Sequence, residues 1–161
     1  MSDWFSTKRQ RVAVHLSDRR VLVGDVHLQP VARHHSGPET CPDLLNRDDE
    51  RFFVLVLEEG QAVFVAKQQV LYVELPAEIA GDDPDRASAA RRIELEVELV
   101  DGTLLEGIVL IELPPDRLRA LDFLNASPAF FALGTGDTVR IINRNHIRAA
   151  SPLMDIERGK D

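Results

Sequence analysis

The chain has 161 residues, 44% hydrophobic and 29% charged, with 19 basic against 27 acidic side chains and a net charge of −8. That balance is globular rather than disordered, and both halves are acidic (9 basic and 12 acidic through Ala80, 10 and 15 after it), which disfavours a protein whose main task is to hold a polyanion. The longest unbroken apolar run, Phe52 to Leu57, is far short of the roughly 20 residues of a membrane-spanning helix, and the single cysteine, Cys41, excludes an internal disulfide.

Residues 1–6 lack the basic region and apolar core of a secretory signal, so cytoplasmic residence is the expectation. The aromatic pair Trp4-Phe5 reads as a leader that covers core. Strand patterning begins at Val12-Ala13-Val14-His15-Leu16 and, after a turn at Ser17-Asp18-Arg19, resumes over Val21 to Leu28. A polar loop over 29–42 follows. Three more strands are expected at Phe52–Leu57, Ala62–Ala66 and Val70–Leu75, with Pro76 as the stop.

Residues 77–92 read as a linker. Asp82-Asp83-Pro84-Asp85 suits the start of a short helix, and Arg86 to Arg91 is compatible with its body. Beyond it, Ile93-Glu94-Leu95-Glu96-Val97-Glu98-Leu99 alternates strictly, turns at Asp101-Gly102 and resumes as Leu104 to Ile111, the pattern of a β-hairpin. Phe130–Leu133 and Val139–Arg148 supply further strand signals, and 153–161 read as a polar tail.

The two halves repeat each other. Asp18 to Gly24 matches Asp101 to Gly107, and Asp43-Leu44-Leu45-Asn46 matches Asp122-Phe123-Leu124-Asn125. Phe52 to Leu55 matches Phe130 to Leu133, and Phe64 to Val70 matches Ile141 to Ile147. The order is the same in each half and the offset drifts only from 83 to 77, as in a tandem duplication. About five short strands per copy, with no long amphipathic helix, predict an all-β protein. It would hold two tandem five-stranded Sm-like or SH3-like small barrels, at 1–76 and 93–152, joined by the linker with its short helix. Gly24 and Gly107 fall inside strand patterns, as the bends of small coiled barrels require.

Val97-Glu98-Leu99-Val100-Asp101-Gly102-Thr103-Leu104-Leu105-Glu106-Gly107, with Asp122 to Asn125, resembles the first motif of the Sm-like family. Val139 to Ile147 is similar to the family's second motif, a strand, a short Arg-Gly-type connection and a final strand. The first copy follows the same plan, with Asp18-Arg19 at the turn and Lys67-Gln68 at the connection. Two residues separate the Asp and Asn where the family has three, and Asn145 stands in place of the glycine. The resemblance implies a single-stranded RNA pocket at Asp43, Asn46 and Lys67 and at Asp122, Asn125 and Arg144, with the Asn on a base edge and the cation on a phosphate or base. Read from the residues alone, the same Asp and Asn fix turns through bonds to the backbone.

His27, His34, His35 and Cys41 lie near one loop, but adjacent histidines cannot easily share one tetrahedral ion, so a solvated loop is expected and no metal. Glu94, Glu96 and Glu98 read as the polar face of a strand, and His15 and His146 as surface or interface residues. No nucleophile elbow and no Gly-rich phosphate loop occurs, so neither an enzyme nor a cofactor is expected. The function expected is a non-catalytic protein-interaction and assembly module, self-associating through edge strands and meeting a further, unknown protein partner. Single-stranded RNA binding is the alternative, disfavoured by the acidic charge.

Overall fold

The computed structural model describes residues 7–77, 91–111 and 119–155; Trp4-Phe5 and the expected linker helix up to residue 90 lie outside them, and Arg91, read as the helix's last residue, belongs to a strand. The protein is all-β, and the chain divides into two compact units, Met1–Leu75 and Pro76–Asp161. Among the described residues no helix is long and apolar enough to cross a membrane.

The first unit runs β1 (Lys8–Leu16), β2 (Val21–Leu28), helix α1 (Cys41–Leu45), β3 (Phe52–Leu57), β4 (Ala62–Ala66), a 3-10 turn over Lys67–Gln69, and β5 (Val70–Pro76). The second repeats that series as β6 (Arg91–Leu99), β7 (Leu104–Ile111), α2 (Ala120–Ala126), β8 (Phe130–Thr135), β9 (Thr138–Asn143), a 3-10 turn over Arg144–His146, and β10 (Ile147–Asp155). Strands lie in the order β5-β1-β2-β3-β4 in the first unit and β10-β6-β7-β8-β9 in the second, antiparallel throughout. Among the described residues no ladder joins β4 to β5 or β9 to β10, so each set of five is open rather than closed through its own edges.

Alternation sets which face is buried. In β6, Ile93, Leu95, Val97 and Leu99 are buried while Glu94, Glu96 and Glu98 take the other face. In β1, Val12, Val14 and Leu16 do the same. Asp101-Gly102 makes the expected turn: Gly102 has φ +93, and the Asp101 carboxylate accepts from the Thr103 N–H at 3.0 Å and its hydroxyl at 2.9 Å.

Several strands run further than their apolar patterns, β6 starting at Arg91 within the expected linker and β8 reaching Thr135. β1 begins at Lys8, because Lys8 to Arg11 pair with Leu28 to Asp25 and the Asp25 carboxylate takes Arg9 at 2.9 Å and Arg11 at 3.1 Å. β10 continues to Asp155, into the expected tail, because Pro152, Met154 and Asp155 stay in register with Leu95, Glu94 and Ile93 across a bulge.

Candidate binding loops

Around α1 the local sequence carries its own start signal. Thr40 is the N-cap, its hydroxyl accepting from the Asp43 N–H at 3.3 Å, while the Asp43 carboxylate accepts from the Thr40 N–H at 2.8 Å, a complete capping box. Pro42 sits in the first turn, where a missing N–H costs nothing. Asp43 also receives His35 Nε2 at 2.7 Å. Asn46 is the C-cap, its backbone N–H donating to the Pro42 carbonyl at 2.9 Å.

Lys67 lies at the opposite end of that helix. It is buried, and its Nζ donates to the Leu44 carbonyl at 3.3 Å and the Arg47 carbonyl at 2.9 Å. A cation there satisfies carbonyls that a helix terminus leaves without intrahelical partners. Burial lowers its ammonium pKa, with Glu50 acting against it.

The second unit repeats the device. Arg144 opens the matching 3-10 turn, and its Nη1 donates to the Ser127 carbonyl just past α2. The backbone follows suit: Arg144 N–H meets the Ala129 carbonyl at 2.7 Å and Lys67 N–H the Arg51 carbonyl at 2.9 Å. Asp122 pairs with Arg119 at 3.1 Å, and Asn125 is exposed. The structure thus puts Asp43 and Asp122 in the helices' first turns and both cations at the far ends, bonded to backbone. Exchanging Lys67 for methionine, which keeps the stem and loses the donors, is expected to cost about 1–3 kcal/mol in urea unfolding. A lysine reserved for a ligand would leave the midpoint where it was.

Sequence reasoning missed a buried ion pair beside this helix. Glu39 takes Arg47 Nη2 at 2.6 Å and Nε at 2.9 Å, and the Gln29 N–H at 2.9 Å, in the loop read as simply polar. Eight positions apart and outside any regular element, the two residues carry no periodic signal. Arg33 adds bonds to Asp49 at 3.0 Å and Glu50 at 2.9 Å.

The residues near the loop that evoke a metal have other engagements. His27 Nδ1 meets the Thr7 hydroxyl at 3.0 Å. The Cys41 thiol is buried and its pKa is pushed up to about 12 by that burial and by Glu39, so it stays protonated. Among the described residues no group of three His, Cys, Asp or Glu side chains is placed to hold a metal ion. In the second unit, Glu96 stands opposite Glu106, and Arg148 reaches Glu98 at 3.3 Å. His15 stacks on Tyr72 with ring centroids 4.1 Å apart and meets Glu74 at 3.6 Å.

One surface feature is apolar. Val54 pairs with Phe64 and Phe52 with Ala66 across the β3–β4 hairpin, so Phe52, Val54 and Phe64 share a face, and Phe52 is 56% and Phe64 72% exposed. At the matching positions of the second unit Phe130 is 3% and Ile141 0% exposed. Both aromatic positions of this face are thus covered in the second unit, while Ala132, at the place of Val54, stays exposed. Compared with family models, curated proteins and solved structures, the chain matches none.

Proposed function

We propose that the chain is a non-catalytic assembly module, two duplicated small β-barrels that associate with further copies through edge strands. The repeated element series and strand order support the duplication, and β4 in the first unit and β10 in the second, each with a neighbour on one side only among the described residues, leave edges to be paired. The observation that carries the reading is the exposed apolar face of Phe52, Val54 and Phe64 on the hairpin whose outer strand, β4, ends the first unit's order. Contiguous exposed aromatic surface on an edge strand is costly in water and is the ordinary mark of an interface. A few chains would then supply twice as many barrels to one assembly.

Sedimentation over a dilution series tests this. The native chain is expected to associate, and Phe64→Ser to weaken association about tenfold or more, since a buried phenylalanine contributes about 2 kcal/mol. A native chain that stays monomeric at high concentration overturns the reading.

A further inference from the structure

We infer that His35 is a proton-operated latch tying the 29–42 loop to the start of α1. Its ring nitrogens are both engaged, Nε2 with the Asp43 carboxylate at 2.7 Å and Nδ1 with the Ser36 backbone carbonyl at 2.9 Å. Carboxylate and carbonyl oxygens are acceptors, and a neutral imidazole carries one N–H. Only the imidazolium can donate to both, so this arrangement is satisfied at both nitrogens when His35 is protonated. Deprotonation would set a nitrogen lone pair against an oxygen lone pair at one of the two contacts, and that contact must open.

Asp43 is suited to hold the cation. Burial pushes its carboxyl pKa up, but the Thr40 N–H, His35 and the Thr40 hydroxyl outweigh it and keep the group below the usual carboxylate range. The other charges of the loop are engaged elsewhere, Arg33 with Asp49 and Glu50, and Glu39 with Arg47. His34, next in the chain, is exposed. The loop is already closed at its base by the Glu39 N–H on the Gln29 carbonyl at 3.0 Å and folded within by the Ala32 N–H on the Gly37 carbonyl at 2.8 Å. The His35–Asp43 contact is what fastens its tip to the helix.

The sign follows from linkage. A histidine that binds its proton more tightly in the folded chain contributes fully below its unfolded value of about 6.5, and the contribution disappears as pH rises through the folded value. The latch is therefore shut in mild acid and released at mildly alkaline pH.

Ring-nitrogen NMR on the full chain tests it. His35 is expected to titrate at least about half a pH unit above 6.5, a threefold or larger preference for the charged form, and Asp43→Asn to return it to the ordinary value. Because Asp43 also caps α1, His35→Gln supplies the second arm. Between pH 6 and pH 8 the protection of the Ala32, Glu39 and Thr40 amides, corrected for intrinsic exchange, should fall about threefold in the native chain and stay level in His35→Gln. Titration of His35 at or below 6.5, or loop protection that ignores pH in the native chain, overturns the inference.

Discussion

Replacing Glu39 with alanine is expected to destabilise the Met1–Leu75 unit by about 3 kcal/mol or more, one of the two largest single effects anticipated for this chain. The Glu39 side chain is 2% exposed and that of Arg47 13%, so neither charge can turn to bulk water when its partner is removed. Truncation leaves the Gln29 N–H without its carboxylate and a guanidinium that keeps, among the described residues, Glu50 at 3.1 Å as its acidic partner. The attraction between the two charges in isolation would overstate the effect, because folding has already spent desolvation energy on both. What the mutation exposes is the penalty for one buried charge left behind. Changing both residues, as Glu39→Leu with Arg47→Met, should therefore cost less than Glu39→Ala alone, a non-additivity that a double-mutant cycle in urea measures directly. For a unit of this size the single change should lower the midpoint of thermal unfolding by more than about 10 °C. A shift of a degree or two would mean that solvent reaches the pair in a way the geometry does not allow.

That pair shows where the sequence stops being legible. Strands were readable because period-two alternation acts locally: Ile93 to Leu99 dictates which side of β6 is buried whatever packs on it. The turn at Asp101-Gly102 was readable for the same reason, since both residues act on their own backbone. α1 has five residues and α2 seven, too short for a 3.6-residue period to declare itself, although Thr40 and Asp43 stood at capping-box spacing all along. The start of β1 was hidden because Lys8-Arg9-Gln10-Arg11 has no apolar alternation, and its pairing rests on Asp25, fourteen residues from Arg11. The repeat identified Lys67 and Arg144 as equivalent cations. It could not say that their acceptors are carbonyls at helix ends, because a basic side chain's partner is chosen by tertiary structure and not by its neighbours in sequence.

The other large effect concerns the two glycines that interrupt strand patterns. A methyl group on Gly107 would lie 2.5 Å from the Gly134 carbonyl oxygen, 2.7 Å from Leu133 Cγ and 2.9 Å from Thr135 Cγ2. On Gly24 it would lie 2.5 Å from the Val56 carbonyl oxygen and 3.1 Å from Leu55 Cγ. Neither glycine has positive φ, so the requirement is space and not backbone freedom. A side-chain tip can turn aside, but a carbonyl held in a sheet moves only if its strand moves. The strands concerned are weakly joined: β7 meets β8 through the single register pair Ile108–Gly134, and β2 meets β3 through Gly24–Leu57 and Asp25–Val56. Alanine at either position is thus expected to push one strand off the next and to cost about 3 kcal/mol, at the upper end of overpacking. Gly134 is the control, since a methyl group there finds its nearest atom, the Ile108 carbonyl oxygen, at 3.8 Å, an ordinary contact. Gly134→Ala should change the unfolding free energy by less than about 0.5 kcal/mol. Chemical denaturation of the three variants separates the explanations: if glycine were needed only to loosen these strands, all three substitutions would act alike. A shared cost at Gly24 and Gly107 with none at Gly134 would instead place the same strand-to-strand approach in both units.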